Sequence, residues 1–281
     1  MMDLRLLRYF VAVAEERHYG RAAARLHMTQ PPLSRAIRQL ERDLGVVLLV
    51  RSASGVELTG AGTALHAEAV ALLERADLVR SRITGADASL TVGTLGASGA
   101  GGARLAEAFR ERHPATRIVL READFTDPTA GVRGGLVDVA LARTPFDATG
   151  IGTRVLRLDP VGAVLRADDP LAGRPSLTVA DLVDRPWFRL PDGVDPAWRA
   201  FWGGPGAREG AVVRTVAECA QAVLWNGSVG IAPLGEPLGH GLVWVPLTDV
   251  PPSPLVVAWR EGGRDPLVRS FARIAVEVFR G

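Results

Sequence analysis

Lysine is absent from this 281-residue chain: all 33 basic side chains are arginine, set against 31 acidic ones for a net charge of +2. Cys219 is the only cysteine, which excludes an intramolecular disulfide, fits a cytoplasmic location and reads as small core filler. The five histidines, His18, His27, His66, His113 and His240, are scattered without metal-ligand spacing, so no metal site is expected. No stretch approaches the roughly 20 apolar residues of a membrane span. Tyr9 to Ala14, preceded by Arg5 and Arg8, is too short for a signal peptide and runs into Glu15-Glu16. Catalytic signatures are equally thin. A G-x-S-x-G elbow is missing, since Ser98 is followed directly by Gly99. GTLGASGAGG, from Gly93, follows a strand and precedes a helix, but its glycines run GxxGxG and Asp124 alone is a poor ribose-binding acid. An enzyme, nucleotide-dependent or otherwise, and any cofactor are not expected.

What is present can pack: 47% of residues are hydrophobic, mean hydropathy is +0.14, and the length suffices for two or three domains. The charge is unevenly spread. Residues 1–60 hold nine arginines against six acidic residues, and from Arg17 to Arg51 the count is seven against two. Positive charge concentrated in this way suits a phosphate backbone.

That stretch, from His18, reads HYGRAAARLHMTQPPLSRAIRQLERDLGVVLLVR. Thr29 is placed to cap a helix whose first turn tolerates Pro31 and Pro32. At 100° per residue, Leu33, Ile37, Leu40 and Leu44 share an arc of roughly 60°, with Pro31, Arg35, Arg38 and Arg42 opposite. Upstream, Arg21 to Leu26 forms a short helix, and His27-Met28 leave room only for a tight turn. A solvated surface helix has the same spacing. The continuation tips the reading: Gly45 stops the helix, 46–50 and 56–59 read as strands about a turn at 52–55, and a winged helix-turn-helix results, with Arg51 on the wing.

Leu4 to Glu16 reads as a first helix, packing Leu7, Phe10, Val11 and Ala14. After the wing, Thr59 caps a helix reaching about Thr84, with Leu65, Ala69, Leu72, Ala76, Val79 and Ile83 spaced 4, 3, 4, 3, 4. This is a heptad seam suited to dimerisation; the alternative is an amphipathic helix lying on its own domain. Gly85 to Ala88 reads as a hinge. Beyond it, strands at 90–94, 117–121, 137–142, 161–166, 187–190, 212–216, 230–233, 242–245 and 255–259 alternate with helices at 103–112, 129–134, 179–183, 196–202, 218–225 and 266–279. The alternation predicts α/β units around a mostly parallel sheet. Trp198, Trp202 and Trp225 read as core before they read as aromatic walls of a ligand site.

From Leu4 to about Gly62, the runs LRYFVAVAEERHYGRAAARL, TQPPLSRAIRQLERDLG and LLVRSASGVELTGAG closely resemble the DNA-binding domain of LysR-type transcriptional regulators. Two positions depart: Leu49 stands where the family commonly has phenylalanine, and Ser54 where the wing tip is often basic. Further on, DVALAR at Asp138 and AVLWNGSVGIAP from Ala222 resemble the family's sensor half more loosely. The resemblance implies an α/β multidomain chain: a mainly α winged helix-turn-helix at 1–59, a linker and dimerisation helix with hinge at 60–88, and an effector-binding domain at 89–281. The last would be a periplasmic-binding-protein-like fold with lobe I at about 90–160 and 250–281 and lobe II at about 161–249. DNA contacts would come from Gln30, Pro31, Pro32, Ser34, Arg35 and Arg38, with Arg51 on the wing. Gln30 and Arg35 have donors for base edges, Pro31 suits a thymine methyl, and Ser34 and Arg38 suit phosphates. Effector positions map to Ser98, Phe125, Thr126, Arg143, Asp192, Gly193, Ala217 and Glu218, with Ser98 donating to a carboxylate and Arg143 or Arg189 balancing its charge.

The partners so implied are double-stranded promoter DNA, a small-molecule effector favoured as a carboxylate, a second copy of the chain in a homodimer that pairs into a homotetramer, and RNA polymerase. Effector closure of the lobes would change dimer packing and hence DNA bending. A ligand-independent architectural DNA binder would use the same arginines, but would not need the roughly 190 residues after the hinge.

Overall fold

The computed structural model describes residues 3–52, 55–84, 89–96, 99–204 and 209–280, and the chain divides into two compact units, Met1–Ala86 and Asp87–Gly281. Among the described residues no helix is long and apolar enough to cross a membrane.

The first unit runs α1 (Leu4–Glu16), α2 (Tyr19–Arg25), α3 (Gln30–Leu44), β1 (Leu49–Ser52), β2 (Gly55–Leu58) and α4 (Gly60–Thr84). Asp3 caps α1 through its carboxylate, and Arg17, in the left-handed region, ends it. α2 starts at Tyr19 and not at Arg21, because the His18 Nδ1 accepts from the Gly20 and Arg21 amides at 3.0 and 3.3 Å. At α3 the Thr29 side chain makes no cap bond; with prolines at 31 and 32 the first turn has few amides left to satisfy. Leu7, Phe10, Leu33, Ile37, Leu40 and Leu48 form a core joining three helices to the base of the wing.

β1 begins at Leu49, three residues later than expected. The Leu48 and Leu49 amides donate instead to the Glu41 carboxylate of α3, at 2.9 and 3.3 Å, leaving Val46 and Val47 exposed. β1 and β2 then pair antiparallel, Leu49 opposite Leu58. Thr59 closes the unit: its Oγ1 accepts from the Gly62 amide at 2.9 Å and donates to the Val47 carbonyl at 2.8 Å, capping α4 and tethering the wing together. Thr59→Ala is expected to destabilise this unit by about 1 kcal/mol, the usual worth of a cap, read from its urea unfolding midpoint.

The heptad seam on α4 needs correction. Ala69 is buried, and Leu65 packs beside it against the helical core of this unit, as does Leu73, which lies off the seam. Leu72, at 43% exposure, and the partly exposed Ala76 lie free of that core. The first half of the stripe is thus covered by its own domain, and Val79 and Ile83 lie outside the described side chains.

The second unit contains β3 (Ser89–Thr94), α5 (Gly99–Arg112), β4 (Arg117–Glu122), β5 (Val139–Arg143), β6 (Ile151–Asp159), β7 (Val161–Arg166), β8 (Trp187–Arg189), α6 (Pro196–Trp202), β9 (Glu209–Val212), α7 (Val216–Asn226), β10 (Gly230–Pro233), β11 (Leu242–Pro246), β12 (Ser253–Arg260) and α8 (Pro266–Arg280). Two sheets organise it. One has the order β4-β3-β5-β12-β6; the other is β10-β7-β11. A parallel β8-β9 ribbon joins the second through a bridge from Trp187 to Val229.

The expectation of a mostly parallel arrangement fails. β3 is parallel to β4 and β5, but β12 runs antiparallel to β5 and β6, and β10 and β11 run antiparallel to β7. The chain leaves the first sheet after β6 and returns on β12, so these two neighbours must oppose one another. Strand β6 was not legible: IGTRVLRLD places Val155 and Leu158 exposed on a sheet edge, without the burial alternation of an interior strand. The helix expected at 129–134 is a succession of turns. There the Asp127 carboxylate accepts from the Thr129 and Gly131 amides, and Ala130 and Gly131 take positive φ. At 179–182 there is a single 3-10 turn.

Candidate nucleic-acid interface and ligand cleft

On α3, burial alternates as the spacing demands: Leu33, Ile37 and Leu40 are inside, while Gln30, Pro31, Arg35 and Arg38 are exposed and Pro32 and Ser34 half-buried. The arginines of this unit differ in what they touch. Arg25 is tied to Glu15 at 2.6 Å and Arg21 to Glu16 at 3.5 Å. Arg42 donates to Gln39 at 2.6 Å. The guanidiniums of Arg35 and Arg38 have no partner among the described residues. Two unneutralised cations, about one turn apart on a helix whose other face is locked into the core, make a surface suited to an anionic groove. Arg51 lies on β1 opposite Val56; its side chain is outside the described set.

In the second unit a cavity of about 210 Å³ lies between the two sheets. Thr94, Leu95 and Gly96 approach it from the end of β3; Leu141 to Arg143 from β5; Trp198 and Trp202 from α6; and Val216, Cys219, Ala220 and Val223 from α7. The walls come close together at Gly96, where φ is +151° and a Cβ would sit 3.0 Å from Val216 Cγ2; only glycine fits. The lining is apolar with a few polar groups, as ligand pockets generally are. Trp198 and Trp202 are 4% and 5% exposed, and their indole N–H groups have no acceptor among the described residues. A buried donor without a partner is costly. Burial pushes the Cys219 thiol up to about 12, with Glu218 adding to the shift. That keeps it neutral on the cavity wall.

Charge in the cavity is already balanced. Arg143 Nη2 lies 2.9 Å from both Asp159 and Glu236, and Arg157 lies 2.5 Å from Asp159. The expectation that Arg143 stands ready for a ligand carboxylate is corrected: two carboxylates of the protein already hold it. Arg189 is not in the wall and donates to the Gly210 carbonyl at 3.3 Å. Phe125 lines the cavity, its ring 6.3 Å from that of Trp198. Thr126, Asp192, Gly193, Ala217 and Glu218 do not line it; all five are exposed. Asp192 and Gly193 form a surface turn. Thr126 bonds Asp124, and Glu218 accepts from the Arg214 amide. On α7 the wall is formed by the face three and four residues apart, 216-219-220-223, which excludes 217 and 218. Ser98 lies outside the described residues. Glu236 was not anticipated.

The family described as "Bacterial regulatory helix-turn-helix protein, lysR family" matches residues 4–63, and that described as "LysR substrate binding domain" matches residues 84–280. The chain belongs to the LysR family. Among LysR relatives, the Hca operon transcriptional activator HcaR of Escherichia coli (strain K12) is 34% identical over 98% of this chain and 98% of its own. The regulator BudR of Raoultella terrigena is 30% identical over 96% and 99%. The crystal structure of full-length BenM superposes with a TM-score of 0.53 at 25% identity, covering 99% of this chain and 97% of that one. The crystal structure of CbnR shares the fold, with a TM-score of 0.67 at 24% identity and full coverage of both chains. This LysR protein is therefore a DNA-binding transcriptional regulator with an effector-binding domain, and not an enzyme.

Between the loop after β4 and the segment joining β9 to α7, Arg214 lies 2.7 Å from Asp124, and the Phe125 amide donates to the Arg214 carbonyl at 2.8 Å. Burial would raise the Asp124 pKa, but hydrogen bonds from Thr126 and Arg214 outweigh it and hold the carboxyl below its ordinary range. Because the folded value is the lower one, the contribution of this pair is present above the unfolded value near 4. It is lost as pH falls through the folded value. Asp124→Asn is thus expected to destabilise the domain at neutral pH, and the gap from wild type to close below about pH 4, as followed by urea unfolding at stepped pH.

Proposed function

We propose that the regulator reads promoter DNA with the exposed face of α3, through Gln30, Pro31, Pro32, Ser34, Arg35 and Arg38, with Arg51 flanking on the wing. Its effector is a largely apolar small molecule bound in the 210 Å³ cavity. Copies pair through the outward part of α4, from Leu72 onward, and dimers pair into a tetramer. Effector binding changes that packing and with it the bend of the DNA and contact with RNA polymerase. The observation that carries the effector assignment is the apolar cavity of about 210 Å³ between the two sheets, walled by Phe125, Trp198 and Trp202. A ligand with a largely apolar body would fill it.

The test screens aromatic alcohols, amides and acids by thermal melting of the full chain, in wild type and in Ala220→Phe, which fills the cavity. Some compounds are expected to raise the Tm of wild type and none that of the variant. A Tm rise that persists in Ala220→Phe removes the cavity as the effector site.

A further inference from the structure

Most arginines of the sensor unit are paired: Arg112 with Glu277 at 3.0 Å, Arg166 with Asp168 at 2.6 Å, Arg214 with Asp124 at 2.7 Å. Four gathered at one place are not. Arg154 on β6, Arg264 in the loop before α8, and Arg269 and Arg273, one turn apart on α8, line a second cavity of about 510 Å³. Their guanidiniums have no ion pair or hydrogen bond among the described residues, and no carboxylate is in the wall. Asp265, the acid nearest to Arg264 along the chain, is occupied at 2.8 Å by the Leu267 amide at the start of α8.

One wall is aromatic. Trp259 on β12 pairs with Gly152 on β6, and a Cβ at Gly152 would lie 2.7 Å from the indole Nε1. Glycine there lets the ring lie across the strand. Arg154, two residues along, projects from the same face. Gly262 and Gly263 complete the rim, Gly262 at a φ of +77°.

Four like charges lining one concavity repel one another unless an anion joins them. Guanidinium groups match phosphate oxygens in bidentate geometry, and an indole face stacks a planar base. We infer that this cavity is a second ligand site of the sensor unit, for a small molecule bearing two or more phosphate charges, and that a nucleotide fits it best because Trp259 offers a face for the base. A concavity of this volume lies within the range of small-ligand sites, which favours a metabolite over a nucleic acid backbone.

The test is calorimetric titration of the full chain with ATP and with inorganic pyrophosphate at about 150 mM salt, where unstructured surface attraction is screened. Both are expected to bind saturably. Arg269→Ala/Arg273→Ala should weaken both by about tenfold or more, since two charge-assisted contacts go. Trp259→Leu should weaken ATP and leave pyrophosphate unchanged. A third variant, Arg35→Ala, should bind both as wild type does, placing the site away from α3. Equal affinity in the double variant, or no saturable binding of either anion, overturns the proposal. Displacement of ATP by a non-specific DNA duplex also overturns it, assigning the arginines to nucleic acid. Equal losses of ATP and pyrophosphate in Trp259→Leu remove the nucleotide and leave the phosphate.

Discussion

Arg35→Ala is expected to weaken binding at the regulator's specific promoter site by about 1–3 kcal/mol, a factor of about 5 to 150, while affinity for non-specific duplex falls far less. The expectation follows from what Arg35 lacks. Its guanidinium has no acceptor among the described residues, so its removal breaks no described contact and the effect is expected in the complex. α3 carries it outward on a helix anchored by Leu33, Ile37 and Leu40, so the side chain reaches a base edge from a fixed platform. Arg38, about one turn further along, serves as the control. As a phosphate contact, Arg38→Ala should weaken specific and non-specific binding alike and reduce the slope of log affinity against log salt by about 1. Titrations of wild type and both variants against specific and scrambled duplexes at several salt concentrations separate the two roles. A loss in Arg35→Ala that is equal on both duplexes would move that residue from base reading to backbone contact.

What the sequence made legible follows the range of the interactions involved. α1 and α3 are set by local chemistry: a capping Asp3, prolines in a first turn, Gly45 at a left-handed stop and leucines at helical spacing. The unpaired state of Arg35 and Arg38 was not legible from spacing alone. It depends on where the acids of the folded unit lie, and those acids hold Arg21 and Arg25 instead. The seam on α4 misled for a related reason: a regular 4-3-4 spacing says that a face is apolar, but not whether the covering comes from a second chain or from the domain's own core, which takes Leu65 and Ala69.

In the cleft, position-by-position transfer from the family put Thr126, Asp192, Gly193, Ala217 and Glu218 at the ligand, and all five are exposed on the surface. The apolar periodicity of α7, with Val216, Cys219, Ala220 and Val223 on one face, was the better guide and was there to be read. Glu236 was out of reach. Its partner Arg143 is 93 residues away, and the pairing forms only because the chain crosses between sheets and returns. The same crossing accounts for the mixed sheet, since a strand order that runs out on β6 and back on β12 leaves no local trace.

The buried charges at this crossing carry the largest stability effect. Arg143 is 13% exposed and shares one nitrogen between Asp159, 6% exposed, and Glu236. Arg157, which is more exposed, holds the other side of Asp159. Two cations face two anions, and Arg143 Nη1 and Glu236 Oε2 remain buried without partners among the described residues. Arg143→Met should therefore destabilise the effector domain by about 3–5 kcal/mol, because it leaves two buried carboxylates against a single guanidinium. Arg143→Met combined with Glu236→Leu removes one charge of each sign and leaves the Arg157–Asp159 pair intact. That double variant is expected to recover most of the loss, since a buried ion pair replaced by apolar groups of similar size is often close to neutral. Urea unfolding of the full chain, with the second unit followed by its tryptophans, reads all three proteins. Additive losses in the double variant would mean that the two side chains act independently, and that the pair does not decide how the two sheets are held. Recovery would make the pair a stability-neutral device that fixes which strand end meets which loop, and so sets the width of the cavity that the effector must enter.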